Sequence, residues 1–183
     1  MVEEAKLVET ESGLEPADGG WFVVNVADAA WWRHRGVFGF GCRFEKPESE
    51  TAEFPQVGIN VRVLQPGEAN CRYHAESDQE DFLVLHGECL LLVEGQERPL
   101  KAWDFVHCPP RTEHVFVGAG TGPCVVLMLG ARLPEGDIVY PVSELALKHG
   151  AGVETETHDP RKAYADLPPR RRERLPDLGL PWQ

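Results

Sequence analysis

Between residues 57 and 131 the apolar positions alternate or fall in short runs, and most runs end near Gly or Pro. The clearest case is "VGINVRVLQPG", where Val57, Ile59, Val61 and Val63 alternate with Gly58, Asn60, Arg62 and Leu64. Period two is the signature of a strand with two unlike faces. "EDFLVLHG", "ECLLLVEG", "ERPLKAWDFVHCPP", "TEHVFVGAG" and "GPCVVLMLGAR" follow at intervals of about ten residues, and the shorter "CRYHAE" precedes them. Strands of that length at that spacing predict an all-β sandwich or barrel. The continuous run "CLLLV" predicts burial on both faces, under a covering segment or a second subunit, and so a homodimer.

The flanks read differently. Residues 1–19 are acidic and lack apolar periodicity, which predicts a disordered lead-in. "WFVVNV" at 21–26 predicts a strand; one helical turn and a further extended piece follow it. Trp31 and Trp32 are expected to pack at the barrel end or against a partner, or to close over a pocket. Ser143 and Gly150 bracket one short helix; Asp159 as cap and Pro160 at the first helical position open another. The division expected is a lead-in at 1–19, a barrel at 20–140, and a helical, proline-rich tail at 141–183.

Composition narrows the classes. Thirty acidic residues stand against 18 basic ones, a formal charge of -12, which disfavours a nucleic-acid binder. The one basic cluster, "RRRER" at 170–174, reads as a solvated tail segment. Five cysteines without CxxC spacing predict reduced, mostly buried thiols and a cytoplasmic protein. No run is apolar enough for a signal peptide or a membrane span.

The chemistry concentrates in "RYHAESDQEDFLVLHGE". If "CRYHAE" is extended, Arg72, His74 and Glu76 share a face, and Glu80 returns to it after the "SDQ" turn. An imidazole and two carboxylates inside an apolar barrel are costly unless something pairs them. A divalent cation does so, and His114, placed after the Pro109–Pro110 turn, supplies a closing ligand. Two nitrogens and two oxygens suit Mn, Fe, Zn, Ni or Co. Glu76 reads either as a ligand or as a group that hydrogen-bonds a bound water or substrate. Arg72 reads as a clamp for an anionic substrate group or as the partner of a carboxylate. His86 and His107 read as ordinary barrel residues.

These residues resemble the cupins. The first cupin motif is G-x5-H-x-H, three or four residues, then E-x6-G. His74-x-Glu76-x3-Glu80-x6-Gly87 matches it, with Glu76 in place of the second His and Gly67 one residue out of step. The second motif is G-x5-P-x-G-x2-H-x3-N. Pro109-x-Arg111-x2-His114 matches it, with Trp103 and Arg111 at the Gly positions and Gly118 at the Asn position. The resemblance spans about residues 57–130. It implies a jelly-roll, double-stranded β-helix barrel with short C-terminal helices, and one transition-metal ion held by His74, Glu76, Glu80 and His114. It also places Phe82 and Phe116 along the pocket wall.

Cupins include dioxygenases, isomerases, decarboxylases and lyases, and also sugar-binding and storage proteins, so the fold does not name the activity. Two readings lead, and a third stands beside them. One is a small metal-dependent enzyme, of the dioxygenase or isomerase type, acting on an oxygenated metabolite. The other is a non-catalytic module that binds a sugar or organic acid beside a structural metal. An interaction scaffold with a vestigial site is a third.

Overall fold

A computed structural model describes residues 1–17, 19–33, 38–44, 56–133 and 135–183. The strand with the clearest alternation, Val57–Leu64, lies in the middle of a seven-stranded antiparallel sheet. Its neighbours on one side are Cys124–Ala131, Glu80–His86 and Phe105–Cys108; on the other they are Phe40–Phe44, Trp31–Arg33 and Arg171–Arg172. His114–Ala119, Glu88–Val93 and Gln96–Lys101 form a second antiparallel sheet. Phe82, Val84 and Val126 of the first sheet meet Leu91 and Phe116 of the second in one core. A bridge between His74 and His114, and the pair Ala75–Glu76 with Ile138–Val139, close one end. This is an all-β barrel, as the strand pattern predicts, and of the jelly-roll, double-stranded β-helix kind that the motif resemblance implies.

The faces of Val57–Leu64 are unlike in an unexpected way. Val61 and Val63 face outward, into a second core with Trp31, Phe40 and Leu180. Asn60 and Arg62 face the barrel interior instead. Register explains which residues join them. Gly41, Arg62, Val126 and Val84 stand opposite one another across four strands, as do Arg43, Asn60, Met128 and Phe82. Opposed residues share a face, so the interior is apolar on the Phe82 side and polar on the Arg62 side.

The chain itself supplies the cover that the doubly apolar strands required. Leu92 packs outward with Tyr73, Val115, Ala146 and Ala151, beneath the first C-terminal helix, Glu144–Lys148. Both predicted helices form. Ser143 caps Glu144–Lys148, and Asp159 caps Pro160–Ala163 with proline at its start. Double burial therefore no longer argues for a second subunit.

Three expectations for the flanks need correction. Residues 7–16 form a hairpin, Leu7–Thr10 with Gly13–Pro16, rather than a disordered lead-in. "WFVVNV" is not a strand; only Trp21 bridges, to Glu4. The basic run is not a solvated tail. Arg171–Arg172 pairs with Trp32 and Arg33, Arg172 Nη1 lies 2.6 Å from Glu15, and Arg174 pairs with Glu9. The reason is joint: the acidic N-terminal segment and the basic C-terminal one attract each other, and Leu175, Leu178 and Leu180 dock beside Trp31. Trp31 is fully buried, its indole N–H donating to Val26 O at 3.0 Å, whereas Trp32 lies beneath the Arg170 and Arg172 guanidiniums. The extended piece expected around Gly36 falls partly outside the described residues.

Trp103 and Arg111, at positions where the barrel motif has glycine, adopt φ of 75° and 72°. The turns keep the left-handed backbone that glycine takes most easily. Arg111 gains an ion pair there, 2.7 Å from Asp137. No helix among the described residues is long and apolar enough to cross a membrane.

Candidate metal centre

His74 and His114 stand side by side, 4.9 Å between ring centroids, because their backbones pair across the barrel end, His114 N–H to His74 O at 2.8 Å. Glu80 arrives from the strand Glu80–His86. Each imidazole is oriented by its other nitrogen. His74 Nδ1 lies 2.8 Å from Arg72 O, and His114 Nδ1 lies 3.0 Å from Thr112 O. A carbonyl only accepts, so Nδ1 donates in both rings and each Nε2 carries a lone pair.

Those lone pairs meet carboxylate oxygens. His114 Nε2 is 3.4 Å from Glu80 Oε2, and His74 Nε2 is 4.0 Å from Glu80 Oε2 and 3.7 Å from Glu76 Oε1. Donor atoms of His74, Glu80 and His114 all lie within 4.8 Å of one another. Burial above all holds both imidazoles neutral: it lowers His74, and it takes His114 down to about 3 with help from His74. Burial first, then the Glu76 charge, pushes Glu80 up to about 8. Below about pH 8 a proton held by Glu80 lies between these acceptors; a divalent cation in its place would be shared by all of them. With metal–ligand bonds of about 2.0–2.2 Å, neighbouring donors stand about 3–4 Å apart. The residues present therefore fit a divalent cation.

Glu76 sits at the rim rather than in this tight trio, its Oε2 4.0 Å from Arg132 Nη1. Two expected pocket residues are elsewhere. Arg72 turns away from the chamber: its guanidinium donates to Gly152 O and Ala163 O and grips Asp166. Residues 71–73 are not a strand, so the alternation that placed Arg72 beside His74 does not hold. Phe116 is core, stacked behind Phe82 at 4.7 Å; Phe82 alone lines the chamber.

The chamber, of about 210 Å³, is lined by several residues that sequence reasoning missed: Arg43, Asn60, Arg62, Arg132 and Tyr140. Arg62 had a readable signal, a charge within an alternating strand. Tyr140 had none; the pairing of Ile138–Val139 with Ala75–Glu76 brings it to His74, ring centroids 6.0 Å apart. Burial, chiefly, raises the Tyr140 phenol, so it stays neutral and can donate a hydrogen bond.

The shifted groups predict a pH signature for the metal-free protein. Glu80 goes from 4.5 to about 8 on folding, so its contribution is full below pH 4.5 and is lost as pH rises through 8. His114 goes from 6.5 to about 3, so its contribution is full above pH 6.5 and is lost as pH falls towards 3. The two oppose each other in between. The urea midpoint with chelator present is therefore expected to fall from about pH 6.5 to 8.5, and bound metal is expected to abolish that fall. A midpoint that rises over this range would remove Glu80 from the buried site.

The fold and site together define a β-barrel with a buried histidine–carboxylate cluster at one end. The cupin domain family matches residues 60–130, and those residues form a cupin domain. A search of the curated proteins finds no match. Among solved structures, the polyketide cyclase RemF from Streptomyces resistomycificus aligns at TM-score 0.50 and 15% identity, over 62% of this chain and 82% of that one. A candidate sugar phosphate isomerase from Acidithiobacillus ferrooxidans aligns at TM-score 0.44 and 29% identity, over 45% of this chain and 55% of that one. The chain thus spans about half the length of that relative. An RmlC-like cupin with a double-stranded β-helix fold from Methanocaldococcus jannaschii aligns at TM-score 0.41 and 22% identity, over 44% and 74%.

Proposed function

We propose that His74, Glu80 and His114, with Glu76 beside them, hold one divalent transition-metal ion, and that the protein is a metal-dependent enzyme of the dioxygenase or isomerase type acting on a small oxygenated metabolite. The supporting observation is the pair of neutral imidazoles whose Nε2 lone pairs converge on Glu80. Nitrogen and oxygen donors favour Mn, Fe, Co, Ni or Zn over thiolate-seeking metals. The cation supplies Lewis acidity towards a substrate carbonyl, enol or bound water. The protein's own groups do the rest. Phe82 and Met128 exclude water on one wall, and the Tyr140 hydroxyl, which burial keeps protonated, offers a hydrogen bond beside it. Cys71, at the same chamber, is pushed up to about 12 and stays a thiol, so it is not the nucleophile.

The test is metal analysis of the purified protein by plasma mass spectrometry, with a screen of enolic, diketone, flavonol and sugar-phosphate compounds. Near-stoichiometric metal and turnover that chelator abolishes are expected. Metal with binding but no turnover would move the protein to the non-catalytic module. Failure to take up metal on reconstitution would overturn the centre itself. A cytoplasmic homodimer belongs to the same proposal, with exposed Trp103 and Phe105 beside the sheet edge as the contact; sedimentation showing only monomer would remove it.

A further inference from the structure

Two carboxamides line the chamber that holds His74, Glu80 and His114, and the protein uses them differently. Asn70 is fully employed. Its Oδ1 accepts the Phe116 N–H at 2.8 Å, and its Nδ2 donates to Met128 Sδ at 3.6 Å. That amide joins the second sheet to the first. Asn60 is different: its Oδ1 is buried and accepts no hydrogen bond among the described residues. The polar groups around it are taken. The guanidiniums of Arg43, Arg62 and Arg132 have partners of their own, and His74 and His114 give their Nδ1 protons to backbone carbonyls.

Register places this oxygen relative to the metal ligands. Asn60 stands on one row with Met128 and Phe82, and the neighbouring inward row holds Glu80 with Gly130 and Gly58. The strands of Asn60 and Glu80 are thus two spacings apart, about 10 Å. A carboxylate and an amide that reach in from both sides leave room for one small molecule between them. The chamber volume agrees: about 210 Å³ holds the equivalent of about seven waters. A valine or leucine at position 60 would continue the apolar row of Phe82 and Met128 and leave no orphaned oxygen. A buried acceptor without a donor costs stability, and such a group in a chamber calls for a donor on whatever fills it.

We infer that Asn60 sets the specificity of this site by accepting a hydrogen bond from a hydroxyl of the substrate. The substrate is then a hydroxylated carbonyl or carboxyl compound of about seven to ten non-hydrogen atoms, the size that the chamber admits. This rests on the metal reading for the carbonyl or carboxyl oxygen that the cation takes, but the hydroxyl contact stands on Asn60 alone. A hydroxyl suits the amide because it supplies the donor that Oδ1 needs. Discrimination at such a contact is strong, since an analogue without the hydroxyl leaves Oδ1 desolvated and unpaired. Phe82 and Met128, on the same row, offer no oxygen to take its place.

The test is calorimetric titration of the full chain, metal-loaded and metal-stripped, with two pairs of probes that differ in hydroxyls: erythrulose with butanone, and malate with succinate. The variants are Asn60→Ala and Asn60→Ser, each checked for fold by circular dichroism and for metal by mass spectrometry. Both variants are expected to fold and to keep the parent's metal content. At least one hydroxylated probe is expected to bind about tenfold or more tighter than its counterpart. Asn60→Ala is expected to remove that preference, and Asn60→Ser, which keeps an acceptor, to restore part of it. Equal affinity within both pairs, an unchanged preference in Asn60→Ala, or no binding of any probe to a protein that carries metal overturns the inference and leaves the metal centre standing. Loss of the fold in both variants makes Asn60 a structural residue and overturns it too. Asn60-dependent binding of a hydroxylated probe by a protein that never takes up metal keeps the inference and removes the metal reading.

Discussion

His114→Ala is expected to purify folded and without metal. Its imidazole is almost fully buried, 1% exposed, and its backbone already pairs with His74 in both directions. Alanine keeps those backbone bonds and the ladder to Glu88–Val93. It loses the ring contacts with Phe82, centroids 5.1 Å apart, and leaves a small cavity. A cavity of that kind costs about 1–3 kcal/mol. Metal affinity falls far more. Removing only an outer partner of a ligand costs about 10–100-fold, so loss of the ligand itself is expected to exceed a hundredfold. Glu76→Gln, at the rim, is expected to cost about tenfold, within the range for a supporting group. Paired metal analysis and urea denaturation read both quantities. Full occupancy in His114→Ala would sink the ligand assignment.

Arg72→Met is expected to do the opposite, lowering stability while leaving metal content unchanged. Arg72 Nη1 donates to Gly152 O at 2.7 Å and Nε to Ala163 O at 3.2 Å, and Nη2 holds Asp166 at 2.6 and 2.7 Å. The guanidinium also lies 5.8 Å from the Phe38 ring centroid. It ties the C-terminal strap to the barrel, and the strap carries Ala146, Ala151 and Tyr164. Asp166 is 68% exposed, so the ion pair itself is worth little. The larger loss is the carbonyls left without a donor; each costs about 1–3 kcal/mol when buried. The sum expected is about 2–4 kcal/mol, with faster proteolysis beyond residue 141. A variant within about 0.5 kcal/mol of the parent, the usual range for surface changes, would mean that Arg72 is no strut.

The contrast between these two residues shows what local reading reaches. His114 was legible because Pro109–Pro110 and the strand after them fix its place by short-range geometry. Glu80 was legible because it begins a strand whose apolar pattern sets its face. Arg72 was misplaced because its alternation was counted through residues 71–73, and hydrogen bonds from distant segments, Tyr73 to Ala151 O and Arg72 N–H to the Tyr164 hydroxyl, bend that stretch out of register. Phe116 was misplaced by one layer: period two says which face, not how deep.

Pattern and turn chemistry, both local, carry the barrel, its strand spacing, the two capped C-terminal helices and the histidine–carboxylate cluster. They do not say which face of Val57–Leu64 is the interior. Alternation alone points the valines inward, and instead they pack outward beneath Trp31 and Leu180, which frees Asn60 and Arg62 to line the chamber. That choice depends on chain ends more than a hundred residues apart, the acidic hairpin at 7–16 and the basic run at 171–174, meeting on one side of the sheet. Long-range charge pairing and burial made that selection, and no window of neighbouring residues contains both partners.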